Sequence, residues 1–460
     1  MISRGFFIIS LIFAIIIFLT YKNNNKSLYF KNDPINEQEQ SHLLNKDKEI
    51  VYIDIDSYNI TEEEKFISYL PHSGFHNQRI SVENAIFLAW YLNRTLILPP
   101  LMFFSGIPPF GMAPFDQLSQ RLSQLKPNQN NFTECEKNQC VTANYTLYHW
   151  EELMSMKWIK QHVKIVHRTD FDDKNLLNIL NTKEREVYYT KCNVRYHHRY
   201  YDYLNSTIGL DEFEERIDLA KLKDRKEKLF YFGSLYSTRR VVRELPENKE
   251  FWSKLLKEFV PENPIIIKIV NNIVKKIGGE RNFLGVHARL GNDFKSDNLF
   301  RGTSDKTIES FILKISNDYR EYENTFNIDK STEVAKQMRQ TILTSTKLIE
   351  NKVFEQCSSK FTNNTLPIII FLATDAKRTH KSLKPFLEKF PCVFMLEDFE
   401  DCKSLKSLEN PLDKINMYKH LIPLVDLMIS SKGSRFYGTP ISTFSLYAMR
   451  LNSLSNTFDS

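Results

Sequence analysis

The sequence lacks the signatures that mark many enzyme classes. It has no Walker loop, no G-x-G-x-x-G after a strand-like run, no H-E-x-x-H and no G-x-S-x-G elbow. Those patterns carry nucleotide cradling, dinucleotide binding, zinc chemistry and serine hydrolysis, so their absence counts against hydrolases and kinases. Asp54-Ile-Asp56 has the spacing of carboxylates that hold a metal-bound diphosphate, but no convincing site surrounds it. That counts against transferases that use a D-x-D metal motif. Glycine is scarce, 13 in 460 residues against 34 phenylalanines, so well-filled cores are expected and flexible low-complexity arrays are not. There is no internal repeat. The net charge of +6 is small for this length and is not gathered in one block, unlike the clustered basic surface of a nucleic-acid binder.

What is present is globular. A chain of 460 residues, 42% hydrophobic and 26% charged, is too long for one core and implies two domains plus a tail. The run "GFFIISLIFAIIIFLTY", residues 5–21, is apolar apart from Ser10 and Thr20. Its 17 residues are at the short end of what spans a bilayer, as suits early secretory membranes. No small-x-small cleavage site follows it, which favours an uncleaved signal anchor over a cleaved signal peptide. Arg4 before it and Lys22 and Lys26 after it leave orientation unsettled by the positive-inside rule. The bulk of the chain is expected in the secretory lumen of the ER or Golgi, as a single-pass type II protein with residues 1–4 as a cytoplasmic tail. Seven N-x-S/T sequons agree, at Asn25, Asn59, Asn93, Asn131, Asn144, Asn205 and Asn363, not all of them expected to be used. Six cysteines permit three disulfides. Cys135–Cys140 and Cys392–Cys402 are the local pairings, leaving Cys192 and Cys357 for each other or free.

Residues 22–48 are polar, Asn-rich and without period, and read as a stem. Then a parallel α/β order begins: "KFISYL" (65–70) as a strand, 71–79 as a loop, "ISVENAIFLAWYLN" (80–93) as a buried helix, and "TLILPP" (95–100) as a second strand. The second half repeats it, with strands in "NFLGVHAR" (282–289), "LPIIIFLATDA" (366–376) and "CVFML" (392–396), and helices over 419–430 and 439–452. Residues 210–228 read as a charged amphipathic helix. The prolines of "PENPIII" place a domain boundary near 262, giving α/β domains over 49–262 and 263–460.

In open parallel sheets, ligands bind at the carboxyl ends of strands, and four polar groupings fall there. After one strand come His287, Arg289, Gly291 and Asp293. An arginine there offers a fork of donors matched to phosphate, and Gly291 lets backbone approach a ligand. The alternative is Arg289 paired to Asp293 in a tight turn, with His287 a satisfied core residue. In "YGTPISTFS" (437–445), Thr439 or Ser442 can cap a helix whose exposed amides make an anion site, or simply begin an ordinary helix. "SGFHNQR" (73–79) is a strand-to-helix loop carrying Gly74, Asn77 and Arg79. Asp375 ends the strand of "FLATDA", able to meet a base or sugar edge or to cap a helix.

Taken in order, these groupings resemble one family. "HSGFHNQRISVENAIFLAWYLNRTLILPP", "GVHARLGNDF", "FLATD" and "VDLMISSKGSRFYGTPISTFSLYAMRLN" are similar, from about residue 65 to the C-terminus, to the GDP-fucose protein O-fucosyltransferases. The resemblance implies a GT-B fold, two Rossmann-like domains facing a cleft, with the N-terminal one on the acceptor side and GDP-fucose held mainly by the second. It implies an inverting, metal-independent transfer of fucose to a protein Ser/Thr or glycan hydroxyl, with no cofactor beyond the donor. Carried over, Arg289 would hold the β-phosphate as charge develops, with Asn77 as its catalytic companion. Ser442, Thr443 and Phe444 would contact phosphate and nucleotide, Asp375 the guanine, Gly74 the donor–acceptor side, and His287 the donor or Arg289 itself.

There are departures. Asn292 is inserted between Gly291 and Asp293, which puts the role of Asp293 in doubt. Ser73 stands where one branch of the family has a glutamate base. The stretches 101–200 and 295–335, where the acceptor site belongs, match nothing legible. Two other functions remain open at this stage: a same-fold transferase using another nucleotide sugar, and a non-catalytic lumenal binding protein.

Overall fold

The apolar runs become strands of two parallel sheets. The computed structural model describes residues 53–456 apart from 105–110, 128, 137–138, 292–302 and 326–367. In the first half the strands are β1 (Phe66–Tyr69), β2 (Thr95–Leu98), β3 (Leu101–Phe104), β4 (Asn131–Glu136), β5 (Gln139–Tyr148), β6 (Ile165–His167), β7 (Val187–Thr190), β8 (His198–Tyr201), β9 (Glu215–Asp218), β10 (Leu229–Phe232) and β11 (Val241–Val242). Five of them form a parallel sheet in the order β6-β2-β1-β10-β7. Beside it stand an antiparallel sheet, β3-β5-β4, and a small parallel one, β11-β8-β9. In the second half, β12 (Leu284–Ala288), β13 (Ile369–Thr374), β14 (Cys392–Phe394) and β15 (Arg435–Gly438) form a parallel sheet in the order β14-β13-β12-β15. Both sheets lie within the single unit of contacts formed by Tyr52–Ser460.

The helices that frame the site are α1 (Phe75–Leu92), α2 (Pro246–Glu258), α3 (Pro264–Lys276), α4 (Thr303–Thr325), α5 (Tyr418–Ser431) and α6 (Thr443–Asn456). Sheets covered on both faces need strands apolar on both sides. Accordingly Ile67 and Tyr69 enter the core that α1 shares, while Phe66 and Leu70 enter a second core with Phe115 and Tyr231. Val286 and Ala288 pack with Ile308 and Phe311 of α4 on one side of β12. The largest core runs without a break from α1 through Phe259 and α3 to α5 and Tyr447 of α6. α1 is apolar nearly all round because it lies inside this core.

Close packing makes one glycine obligatory. A Cβ on Gly285 would sit 1.8 Å from the carbonyl oxygen of Ser430 at the end of α5. The small residue inside the apolar run of β12 thus lets a helix end rest directly on the strand.

Three expectations change. The loop drawn over 71–79 is shorter, because α1 begins at Phe75: Gly74 is its N-cap, and its carbonyl accepts from Asn77 N–H (3.0 Å) and Gln78 N–H (3.1 Å). Residues 210–228 are not one amphipathic helix. Glu215–Asp218 pair with β8 as a parallel strand, and only Leu219–Lys223 is helical. Arg216 decides this locally, donating to the Tyr203, Leu204 and Ser206 carbonyls and to Asp218, so tertiary pairing overrides helix propensity. The Cys392–Cys402 pairing is also corrected: Cys402 is free and buried, as is Cys192, while Cys140 and Cys392 each take part in a disulfide. Of the sequons, Asn93 is exposed in the left-handed C-cap of α1.

No helix among the described residues is long and apolar enough to cross a membrane. The run 5–21, the stem 22–48, and Asn25, Asn292, Asp293, Cys357 and Asn363 lie outside those residues. Replacing Gly285 with alanine is expected to cost about 3 kcal/mol or more by forcing α5 off β12. Denaturant unfolding checks this, and parent-like stability would contradict the packing described.

Candidate active site

The site grows from the carboxyl ends of β12, β13 and β15. Immediately after β12, three successive amides are held from outside the strand. Arg289 N–H donates to Thr439 Oγ1 (3.0 Å), Leu290 N–H to Asp375 Oδ1 (2.7 Å), and Gly291 N–H to Asp375 Oδ2 (3.0 Å). Thr439 in turn ties β15 to β12, its N–H and hydroxyl both donating to the His287 carbonyl at 3.0 Å. The backbone carrying Arg289 is therefore fixed on two sides. Asp375 engages both carboxylate oxygens in holding this loop, so any contact with a nucleotide edge uses its remaining lone pairs.

Beyond Thr439 the chain turns through Ile441, a β-branched residue at φ 64° and 73% exposed. Such backbone is costly and is found where the surroundings impose it. The turn delivers Ser442 as the cap of α6, its hydroxyl accepting from Ser445 N–H (3.4 Å). The N–H groups of Thr443 and Phe444 meet no acceptor among the described residues. With the helix dipole behind them, these amides form a place for an anion.

His287 joins the two pieces. Its Nδ1 lies 2.7 Å from Ser445 Oγ, and its ring stacks on Phe444 at 4.1 Å. Burial first, and Arg289 second, push its pKa down to about 3, so it is a neutral spacer at neutral pH. Gly438 belongs to the same fit, since a Cβ there would meet the Ser445 side chain at 2.6 Å.

The first sheet contributes the N-terminus of α1. Gly74 and Asn77 sit in its opening turn, and among the described residues the Asn77 side-chain amide has no hydrogen-bond partner. Gln78, by contrast, is fully engaged, bonding the Met102 N–H and carbonyl at 2.9 Å and holding α1 to β3. Between Gly74 and Phe444 lies His76, whose ring meets Phe444 edge-on at 5.4 Å. Burial, then the charges of Arg79, His287, Arg289 and Arg450, hold it well below its ordinary pKa. The two helix N-termini and the end of β12 thus converge on one region of positive potential. His76 and Ser445 were not singled out from the sequence. The signal for Ser445 was its spacing of three from the capping Ser442, whereas His76 had none beyond its place beside Asn77.

Ser73, noted above as the position of a glutamate in one branch of the resembled family, has φ 65°, and its hydroxyl lies 2.8 Å from His72 Nδ1. Burial drives His72 down to about 3, so this pair supplies no general base at neutral pH. One group of side chains among the described residues is close enough to hold a metal ion: His197, His198 and Glu215. His198 opens β8, His197 precedes it and Glu215 opens β9. His197 Nδ1 accepts Asn193 N–H (3.2 Å), which leaves the proton on the Nε2 that would have to ligate. Asp54 caps a one-turn segment that contains Asp56 and is bridged to His167, the last residue of β6.

The profile of the GDP-fucose protein O-fucosyltransferases matches residues 66–454, from β1 into α6. The chain belongs to that family. Within this chain, a 99-residue stretch is 33% identical to O-fucosyltransferase 30 of Arabidopsis thaliana, covering 21% of this chain and 17% of that protein's length. Among solved structures, it is similar to POFUT1 in complex with GDP-fucose (12% identity, 86% of this chain and 95% of that one, TM-score 0.35). It is likewise similar to NodZ α-1,6-fucosyltransferase soaked with GDP-fucose (12% identity, 84% and 92%, TM-score 0.37). The family is one of glycosyltransferases, and this chain carries a parallel α/β sheet in each half.

Buried neutral histidines make stability depend on pH. His72 and His287 titrate near 3 and His198 near 4 when folded, because burial disfavours their charged forms, against about 6.5 when unfolded. Below pH 6.5 the unfolded chain binds protons that the folded one refuses, so stability is full above that pH and falls as pH drops, by up to about 1.4 kcal/mol per pH unit per histidine. His76 and His149, also held down by burial, add to this, while Asp426, pushed well above its ordinary range by burial, opposes it. Melting temperatures are expected to fall steadily from pH 7 to pH 5; a flat profile would contradict the assignment.

Proposed function

We propose that this protein transfers fucose from GDP-fucose to a hydroxyl of a protein or glycan acceptor, with inversion and without a metal. Family membership supports the reaction class. The observation that carries the reading is Arg289, on backbone pinned by three hydrogen bonds from successive N–H groups, together with the Thr443 and Phe444 amides that open α6. A diphosphate between them would meet a guanidinium fork, two N–H donors and the Ser442 and Thr443 hydroxyls. In the proposed reaction the acceptor oxygen attacks the anomeric carbon as the bond to the β-phosphate oxygen breaks on the opposite face. Negative charge moves onto GDP, where Arg289 stabilises it, and the acceptor proton leaves with the departing phosphate or a water. Donors aimed at developing charge are commonly the largest catalytic term, about 3 kcal/mol each.

Asn77 and Gly74, reaching the site from α1, are placed to orient the fucose and the incoming hydroxyl. Phe444, flat on His287, offers a face to the nucleotide. The arrangement of two parallel α/β halves is consistent with a GT-B enzyme whose second half holds the GDP-sugar and whose first half meets the acceptor. We further propose that residues 5–21 anchor the enzyme in the ER or Golgi membrane with the catalytic part lumenal.

Arg289→Ala is expected to lower transfer by roughly 10²–10³-fold with an unchanged melting temperature, measured as GDP release with a competent acceptor. Parent-like turnover would remove Arg289 from its role. Thermal-shift titration with GDP, UDP and GDP-fucose checks the donor. A ligand at a hundred times its Kd adds about 2.7 kcal/mol, so a shift with UDP in place of GDP would point to another nucleotide sugar, and no shift at all to a non-catalytic protein.

A further inference from the structure

α1 and α6 are locked together by a buried ionic cluster that touches none of the proposed donor ligands. Glu83, 2% exposed, lies one turn beyond Arg79, 3% exposed, and accepts from it within α1. From α6, Arg450 Nη1 donates to the same Glu83 Oε1 (2.6 Å). The Tyr447 ring lies against both guanidiniums, 4.0 Å from the carbon of Arg79 and 4.5 Å from that of Arg450. Tyr447 and Arg450 also donate to the Phe259 carbonyl just after α2, at 3.3 and 3.4 Å. Burial alone would raise the Glu83 carboxyl, but Arg450 and Arg79 outweigh it and hold it below the ordinary range.

Such a cluster is poorly explained as a source of stability. Desolvating three charges offsets most of their attraction, and well-packed apolar side chains commonly do as well. Its geometry fits another task. Glu83 is six residues beyond Asn77 on α1, and Arg450 is six residues beyond Phe444 on α6, so each site residue is about 9 Å along its helix from the lock. The two helices run side by side from the site, touching first where His76 meets Phe444 and again where Glu83 meets Arg450. A tilt of about 10° at the lock would shift Asn77 by about 1.6 Å relative to Phe444 at that 9 Å lever arm, and misplacements near 1 Å can cost about 10²-fold in rate.

We propose that Arg79, Glu83 and Arg450 are positioning residues for the transfer reaction: they fix the angle between α1 and α6 and so hold Asn77 in register with the donor bound at α6. The inference rests on the function proposed above. Residues proposed to hold GDP lie on β12, β13 and α6, so loosening the lock should disturb turnover and leave nucleotide binding in place.

The test replaces the whole cluster, Arg79→Met with Glu83→Leu and Arg450→Met, so that none of the three is left buried without its partner, and Asp202 remains as a counter-charge for the buried Arg243. This variant is expected to melt within a few degrees of the parent and to bind GDP within threefold, while kcat for fucose transfer falls at least tenfold. A kcat within twofold of the parent, or a loss of GDP affinity as large as the loss of kcat, would overturn the proposal. Arg450→Lys provides a second route should the triple variant not fold. It keeps a cation beside Glu83 but loses the planar stack on Tyr447, and kcat is again expected to fall with GDP binding kept; parent-like kcat would overturn the proposal. A parent protein that neither binds GDP nor transfers fucose would instead overturn the reading of the site itself, and this one with it.

Discussion

Everything at the site depends on three consecutive amides after β12 being held by the Thr439 hydroxyl and the Asp375 carboxylate. A long cationic side chain can recognise a diphosphate only if its own backbone does not move when charge arrives. The loop gains that rigidity from two neighbouring strands, one on each side of β12. Asp375 ends β13 and Thr439 follows β15, so the parallel order β13-β12-β15 is itself part of the device.

The same logic extends outward. Gly285 allows α5 to rest on β12, and Gly438 leaves room for Ser445, whose hydroxyl steadies His287. His287 is kept neutral by burial and carries Phe444 on its face. The proposed ligands are thus supported by side chains that are each satisfied by a partner from another element. The first half joins through His76 and the Arg79–Glu83–Arg450 cluster, which convert two separate sheets into one site.

The order of elements was legible because buried parallel strands write themselves as continuous apolar runs. "FISY", "TLIL", "LGVHA" and "IIFLAT" became β1, β2, β12 and β13 with ends displaced by a few residues. The failures have local causes. The start of α1 was placed late because Gly74 caps a helix without a polar side chain to announce it. Residues 210–228 carry helical spacing, yet the pairing of Glu215–Asp218 with β8 cannot be seen from spacing. Cys392 and Cys402 are close in sequence and enter the same core, yet Cys402 is free, so nearness along the chain did not decide the pairing.

By itself, the sequence determined which residue types stand at the strand ends: Arg289 and Asp375, the hydroxyls of 442–443, and the Gly74–Asn77 turn. It did so because hydrophobic period fixes where strands stop, and the polar residue that follows is then exposed to choice. Only the tertiary structure decided what those residues do to one another. Asp375 became a holder of the Arg289 loop, and His76 a bridge between helices. Glu83 became the shared partner of two arginines 371 positions apart. Hydrogen bonds and ion pairs act over about 3 Å, and no pattern along the chain records which distant groups the fold brings within that reach.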